Sequence, residues 1–462
     1  MAKLPFLNRA EELARLERLL AGKEGALAVV YGRRRCGKSR LIQEALSRSR
    51  SIFYVGDDRE AALQRANLAV EIARLLPGFD QAMYPEWNAL FQRFWADARK
   101  GTTLVLDEFP SMVQVSPELP SILQKYIDQQ AFRGVHLVLA GSSQRMMQGL
   151  VLDNSAPLYG RSSEILKLSP LMPFWIRKAL KISKREEYLA VEAYSVWGGI
   201  PRYWELASDH SSRVEALRAV VLSPLGVLHE EPKRVLLDDL RETTQASSIL
   251  SLIGRGCHRV SEIAGRLEKP ATSLSRPLQR LVELDLVKRE TPFGSPKRTT
   301  KRSRYRISDP FLRYWFRFVE PNLSRLEARS VDSVLRDVES SFSHHVAGIW
   351  EELARASVPG SGYRGIEWGP AGRWWGAGLD RRPQEIDVVA ESHSGDSLLV
   401  GEVKWEDDVD CDRTFALLAR KAAQLPIARG KKIVLVLWTK STGERRRPSN
   451  VLTPREVLRV LR

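Results

Sequence analysis

Residues 32–39, Gly32-Arg33-Arg34-Arg35-Cys36-Gly37-Lys38-Ser39, have the types and the spacing to hold a phosphate: they match GxxxxGK[ST]. An apolar run, Ala26–Tyr31, leads into them, and a helix-compatible segment beginning at Lys38, Ser39 and Arg40 follows. In that setting the glycines let backbone N–H groups wrap around phosphate oxygens. The helix N-terminus adds a favourable dipole field. Arg35 and Cys36 belong to the same cradle, Lys38 would reach the β- and γ-phosphates, and Ser39 would ligate Mg²⁺. A second run, Leu104-Val105-Leu106-Asp107-Glu108, is an apolar strand ending in two carboxylates. Asp107 suits holding Mg²⁺ through water, and Glu108 suits polarising the attacking water. Ala140-Gly141-Ser142-Ser143 ends a further apolar run. A hydroxyl at Ser142 could sense the γ-phosphate from there, although a plain turn has the same composition.

A different chemistry is written near the C-terminus. Glu385-Ile386-Asp387-Val388-Val389 is followed, 15 residues after Asp387, by Glu402-Val403-Lys404. Positions two apart in a strand share a face, so Glu402 and Lys404 project together. Charge inside a sheet is costly unless it is paired or binds a metal. Asp387 and Glu402 on neighbouring strands could share Mg²⁺ or Mn²⁺, with the Val403 carbonyl as a third ligand. Lys404 could then orient a water or stabilise charge on a phosphate, a constellation for metal-assisted phosphodiester hydrolysis. An ion-pair network across the sheet would use the same residues.

Basic side chains concentrate in the middle of the chain. Lys297, Arg298, Lys301, Arg302 and Arg304 fall in or beside a predicted hairpin, next to a predicted helix at 272–280 that carries Arg276. A basic hairpin beside such a helix can place charges on DNA phosphates, with binding that falls steeply with salt. An interdomain packing module with a solvated basic face is the other reading of the same residues. Phe311, Trp315 and Phe318 have helical spacing and read as core.

The elements that must position these groups follow from periodicity and length. The chain has 462 residues, which predicts several domains, with 43% apolar and 28% charged residues, as expected of packed cores. Strands alternating with helices over residues 1–165 predict a doubly wound α/β domain with a parallel sheet. Within it Asn8 and Glu11 read as a capping box for the first helix. Residues 166–231 show no strand and read as a small helical lid. Residues 232–321 read as three helices followed by a hairpin, the winged-helix order. Residues 322–462 start helical, then predict strands at 363–368, 385–390 and 398–405, a helix at 412–425 and a strand at 432–438. The net charge of +16 suits a polyanion, most simply nucleic acid. No apolar run approaches the roughly 20 residues of a membrane helix, and Met1–Leu7 has no apolar signal region. Cys36, Cys257 and Cys411 lie far apart, which disfavours a disulfide framework and a cysteine-rich zinc site and fits a reducing cytoplasm.

Taken together, Phe6-Leu7-Asn8-Arg9 with Glu12, Gly32–Ser39, Asp107-Glu108, Gly141-Ser142-Ser143, Leu158-Tyr159-Gly160-Arg161 and Gly198-Gly199-Ile200-Pro201 resemble the archaeal-type ATPase family, in the STAND class of P-loop NTPases and related to the AAA+ group. The resemblance implies ATP as ligand, ADP as product and Mg²⁺ as cofactor. It implies that Asn8 and Arg9 lie near the adenine, that Pro201 packs on the base and that Arg161 acts on the γ-phosphate as a sensor or finger. At Asn8 the chain departs from the family, whose members usually carry Gly or Asp there. The C-terminal part resembles the PD-(D/E)XK nuclease superfamily, a restriction-endonuclease-like α/β fold, in the version fused to archaeal-type ATPases. That resemblance maps the helical acid onto Glu351 and the metal-strand acids and lysine onto Asp387, Glu402 and Lys404. The combined expectation is an ATP-hydrolysing, DNA-binding protein whose nucleotide state controls a metal-dependent DNA endonuclease. A nucleotide-gated switch with a non-cleaving nuclease-fold platform is the alternative. AAA+ relatives often form rings, whereas members of this family act as monomers or dimers, so the resemblance leaves a homo-oligomer open.

Overall fold

The computed structural model describes residues 4–47, 49–129, 134–151, 153–240, 242–296, 302–442 and 448–462. The chain divides into two units, Leu7–Pro170 with Leu237–Arg241, and Met1–Phe6 with Leu171–Leu236 and Glu242–Arg462.

The first unit is built on a parallel sheet. Its strands are β1 (Leu27–Tyr31), β2 (Arg50–Val55), β3 (Thr102–Asp107), β4 (His136–Gly141) and β5 (Glu164–Lys167), in the order β2-β3-β4-β1-β5. Every residue of β1, β3 and β4 is buried, which is why these strands read as unbroken apolar runs. The edge strands β2 and β5 keep exposed positions. Helices α1 (Ala10–Leu20), α2 (Lys38–Leu46), α3 (Ala61–Ala73), α4 (Trp87–Asp97), α5 (Phe109–Val115), α6 (Leu119–Asp128) and α7 (Gln144–Val151) surround the sheet. The helical spacing of Trp87, Leu90, Phe91 and Phe94 puts all four in the core beside the sheet.

Two local expectations are corrected here. The Asn8–Glu11 capping box does not form: Arg9 is the N-cap of α1, with φ 69°, and no side chain caps the helix. The boundary drawn at 165/166 cuts through β5, which pairs in parallel with β1 from Ala28↔Glu164 to Tyr31↔Lys167. A four-residue edge strand with a charge at each end carries too little hydrophobic pattern to show itself.

The second unit begins with helices α8 (Pro173–Ala179), α9 (Glu187–Trp197), α10 (Pro201–Ser208), α11 (Arg213–Ala216) and α12 (Glu231–Asp239), the last residues of α12 belonging to the first unit. Pro201 opens α10 at a position where its missing N–H costs nothing. Then come α13 (Thr244–Gly254), α14 (Val260–Arg266) and α15 (Ser275–Glu283), followed by an antiparallel pair, β6 (Val287–Glu290) with β7 (Arg304–Ile307). Helices α16 (Pro310–Tyr314), α17 (Leu323–Glu327) and the 27-residue α18 (Val331–Ser357) follow, with a π-helical turn at Trp315–Val319 directly after α16. Phe311, Trp315 and Phe318 are buried, as their spacing requires.

The remaining strands β8 (Gly372–Ala377), β9 (Pro383–Glu391), β10 (Ser397–Val403), β11 (Lys432–Trp438) and β12 (Val451–Leu452) form one sheet in the order β12-β11-β10-β9-β8, with α19 (Cys411–Ala423) and α20 (Pro454–Val460). The strand expected at 363–368 is not there. Gly362, Arg364 and Gly365 take positive φ, a short 3₁₀ turn spans Tyr363–Gly365, and the first strand of the sheet is β8 instead. β8 to β10 are antiparallel, whereas β10 and β11 run parallel from Ser397↔Lys432 to Val403↔Trp438.

Candidate functional sites: the phosphate loop and the C-terminal carboxylates

Strand β1 delivers the chain into the loop 32–37, and α2 leaves it at Lys38. Gly32 has φ 151°, and a Cβ there would lie 2.4 Å from the Leu168 carbonyl oxygen. Gly37 caps α2 with φ 93°. Both conformations favour glycine, so the two fixed positions of the motif have separate backbone reasons.

The sheet order decides what meets the loop. β4 lies between β1 and β3, so the residue after β4 stands between the phosphate loop and the β3 carboxylates. That residue is Ser142. Lys38 Nζ donates to Ser142 Oγ at 2.9 Å, to the Gly32 carbonyl at 2.9 Å and to the Arg33 carbonyl at 3.2 Å. Ser142 Oγ donates to Glu108 Oε1 at 2.6 Å, and its backbone N–H donates to Glu108 Oε2 at 3.2 Å. Ser39 Oγ donates to Asp107 Oδ2 at 2.5 Å, and the Glu108 N–H donates to Asp107 Oδ1 at 3.0 Å. Glu108 turns with φ 52° at the start of α5, which separates the two carboxylates: Asp107 faces Ser39 and Glu108 faces Ser142.

Lys38 and Asp107 are 5% and 3% exposed. Burial lowers the Lys38 ammonium from its ordinary value, opposed first by Glu108. Burial raises the Asp107 carboxyl, opposed by the Ser39 hydroxyl. Both groups are held ready for a charge that would compensate them.

Asp239 is a residue the sequence did not single out. Its Oδ1 accepts from Ser143 Oγ at 3.1 Å and from the Arg145 N–H at 3.2 Å, so it closes the turn that carries Ser142. Burial raises its pKa. Nothing at its own position announces this, because its partners lie about 95 residues away in sequence.

Arg9 is buried and donates to Glu12 at 2.9 Å and to the Ser169 carbonyl. Ser169 adjoins Leu168, the residue packed on Gly32, so Arg9 sits beside the loop wall. Arg161 makes two 2.7 Å bonds to Asp128 and a third to the Tyr159 carbonyl. The structure thus gathers Lys38, Ser39, Asp107, Glu108 and Ser142 and leaves Arg161 in an ion pair with α6.

In the C-terminal sheet the β9–β10 ladder ends at Val388↔Gly401, and Asp387 and Glu402 follow where the strands part. Asp387 Oδ2 accepts from the Val403 N–H at 3.0 Å. Burial raises the Asp387 carboxyl, and Glu402 raises it further. Glu402 is clasped by Lys404 at 3.1 Å, the residue just past the end of β10, and by Lys421 at 2.9 Å, on α19. Burial lowers the Lys404 ammonium, but Glu402 outweighs it and the net shift is upward. Lys421 was missed in the sequence, where it reads as one of several basic residues of an amphipathic helix. Glu402, Lys404 and Lys421 line a cavity of about 600 Å³.

Glu351 is engaged elsewhere, paired with Arg373 of β8 and, at 3.6 Å, with Arg355 of its own helix. Arg355 also donates to the Asp387 carbonyl at 2.9 Å. Among the described residues no group of three or more His, Cys, Asp or Glu side chains could hold a metal. The two carboxylates and the Val403 backbone are what the geometry brings together.

Of the predicted DNA contacts, Lys297, Arg298 and Lys301 lie outside the described residues. Arg304 donates to both oxygens of Glu385, at 2.9 and 3.2 Å, and stacks over Trp375 at 4.7 Å. Arg302 lies against Gly376, and the Phe293 N–H donates to the Arg373 carbonyl at 2.8 Å. The hairpin therefore lies along the edge strand β8. Arg276, with Thr272, Ser273 and Ser275, is exposed.

Comparison with known proteins bears on the class of the first unit. Residues 6–206 match a family described as an ATPase domain predominantly from Archaea, and residues 315–417 match one described as Archaea bacterial proteins of unknown function. An uncharacterized protein of Methanocaldococcus jannaschii is 27% identical over 431 residues, spanning 90% of this chain and 92% of that one. Among solved structures, the Walker-type ATPase of Pyrococcus abyssi superposes with TM-score 0.52 at 18% identity, over 68% of this chain and 96% of that one. The ORC2 protein of Aeropyrum pernix, solved as ADPNP and ADP complexes, gives TM-score 0.44 at 15% identity, over 74% and 97%. Among the described residues no helix is long and apolar enough to cross a membrane. The chain carries, over residues 6–206, a match to the predominantly archaeal ATPase domain on a P-loop α/β fold, and nucleotide binding and hydrolysis is the activity class this match supports.

Proposed function

We propose that this protein is a Mg²⁺-dependent ATPase of the STAND type whose nucleotide state governs a DNA-contacting module and a nuclease-like C-terminal module. The observation that carries the ATPase reading is the convergence of Lys38, Ser39, Asp107, Glu108 and Ser142 on the end of one sheet. The backbone N–H groups of 32–39 and Lys38 would take the triphosphate, with phosphate oxygens replacing the Gly32 and Arg33 carbonyls on Nζ. The residues fit a magnesium ion: Ser39 and Asp107 already share one hydrogen bond, and both offer oxygen. The bound cation would neutralise phosphate charge. Glu108 would orient the attacking water, and Ser142 links it to the lysine that grips the γ-phosphate. Arg161 would serve the γ-phosphate only after leaving Asp128. Arg9, with Asn8, supports the base-side wall. Lys38→Ala should abolish phosphate release from ATP, and turnover unchanged in that variant would remove the reading.

Residues 232–321 are read as a winged helix and residues 322–462 as a PD-(D/E)XK-like fold. The support is the order of three helices and a hairpin, and the meeting of Asp387 and Glu402 on adjacent strands with Lys404 directly after the second. DNA would meet the exposed face of α15 around Arg276. Mg²⁺ or Mn²⁺ held by Asp387, Glu402 and the Val403 carbonyl would polarise a phosphodiester for attack by water oriented at Lys404. A second reading, a non-cleaving platform, is favoured by the two lysines that neutralise Glu402 and the two arginines that hold Glu351. A cleavage assay on single-stranded, duplex and branched DNA, with each metal and with and without ATP, separates them. Cutting that is lost in Asp387→Ala supports the nuclease, and no cutting by the wild type supports the platform.

A further inference from the structure

A cavity of about 500 Å³ lies in the second unit, with neither Asp387 nor Glu402 in its wall. The turn after α13 supplies Arg255 and His258 to its wall, β7 supplies Arg306, α16 and the π-helical turn supply Arg313 and Arg317, and α18 supplies Glu351. The volume is that of a small-ligand pocket.

The charges around it do not balance. Arg255 pairs with Glu320 at 2.8 Å, Arg306 with Glu290 at 3.4 Å and Arg313 with Glu352 at 2.7 Å. Glu351, the one acid in the wall, is already held by Arg373 and Arg355. That leaves Arg317. It has no acidic partner among the described residues, and its guanidinium lies 5.1 Å from the Phe318 ring centre. Burial lowers its pKa, and Arg313 lowers it further. A half-buried guanidinium without a counter-charge is costly to the fold. It sits in a π-helical turn, a rare geometry that recurs where a helix is shaped for function.

We propose that this cavity is a second phosphate site, taking a small phosphate-bearing anion no larger than a mononucleotide, with Arg317 as its principal ligand. Arg306 and Arg313 would add long-range attraction while keeping their own carboxylates. A dianionic phosphate accepts from a guanidinium in a bidentate manner, which a lysine cannot reproduce. Chloride, a single-centre ion, cannot make the paired hydrogen bonds that phosphate oxygens offer a guanidinium.

The test is calorimetric titration of the full chain carrying Lys38→Ala, so that the phosphate loop does not contribute. Inorganic phosphate, pyrophosphate and AMP are the probes, with a 5′-phosphorylated octanucleotide as comparison. One site per chain is expected for at least one small probe. Arg317→Met, which keeps the stem over Phe318, should weaken it about tenfold or more, and Arg317→Lys should weaken it less. With the phosphate loop intact, Arg317→Met should leave ATP turnover unchanged. Its Tm without phosphate should be unchanged or higher, and the phosphate-induced rise in Tm should disappear. Absence of binding by all three small probes would overturn the proposal. So would an affinity indifferent to Arg317→Met, or binding confined to the oligonucleotide.

Discussion

Ser142 Oγ donates to Glu108 Oε1 at 2.6 Å while accepting from Lys38 Nζ at 2.9 Å, so one hydroxyl joins the carboxylate proposed to orient water and the ammonium proposed to grip phosphate. The link exists because β4 is inserted between β1 and β3. Ser142→Ala removes the hydroxyl and keeps the backbone N–H that also holds Glu108. The expected result is a fall in kcat of about 10- to 100-fold with little change in nucleotide affinity, read by steady-state phosphate release and by equilibrium ATP binding. An equal loss in both would mean that Ser142 only shapes the pocket.

Gly32 is a backbone requirement of the loop. A Cβ at this position would lie 2.4 Å from the Leu168 carbonyl oxygen, in a conformation that side chains rarely adopt. Gly32→Ala should cost about 2 kcal/mol or more and abolish nucleotide-induced stabilisation, measured as Tm with and without ATP·Mg²⁺.

His345 makes the second unit acid-sensitive. It is 1% exposed, its Nε2 bonds the Ser195 carbonyl at 2.9 Å, and burial pushes its pKa down to about 3. The unfolded chain takes up a proton near pH 6.5, whereas the folded chain does so only near 3. The unfolded state therefore binds more protons throughout that window, and stability falls as pH drops through it, by about 1.4 kcal/mol per pH unit at most. His345→Gln, which keeps a donor for Ser195, should flatten the dependence of Tm on pH between about 6.5 and 4.5.

Asp387 carries the opposite sign. Its folded pKa is raised, so at low pH, where both states are protonated, no charge penalty is incurred. Stability is lost as pH rises through the folded value. Asp387→Asn should therefore raise Tm at pH 8 relative to the wild type and converge with it below the ordinary aspartate range of about 4. Mn²⁺ should stabilise the wild type and not the variant if the carboxylates hold a metal. Equal shifts in the two would remove the metal site.

Arg304 and Arg276 separate packing from DNA contact. Arg304→Ala breaks the Glu385 pair and the Trp375 stack and should cost about 1–2 kcal/mol, with DNA affinity within about twofold. Arg276→Ala should leave Tm unchanged, weaken DNA binding and lower the salt slope by about one. Fluorescence anisotropy over a salt series reads both.

Much of the first site is present in the residue order alone, because a phosphate loop is local. Gly32 and Gly37 shape the backbone of one turn, and Lys38 and Ser39 stand at the helix start it leads into, so their spacing carries their chemistry. The apolar runs of β1, β3 and β4 are equally legible, since strands covered on both faces need no polar alternation. The meeting of Lys38, Ser142 and Glu108 depends on strand order, which periodicity does not encode, and Asp239 enters from a helix almost a hundred residues beyond Ser143. At the C-terminal site Asp387, Glu402 and Lys404 could be read from two strands, but the clasp of Lys421 and the capture of Glu351 by Arg373 could not. Ion pairs between distant elements leave no mark on local composition. The same holds for Arg304: as a sequence it is one more cation beside a hairpin, and only the packing of that hairpin on β8 gives it Glu385 and Trp375. Local backbone geometry can be read from neighbouring residues, whereas the partner of a charge is chosen by the fold.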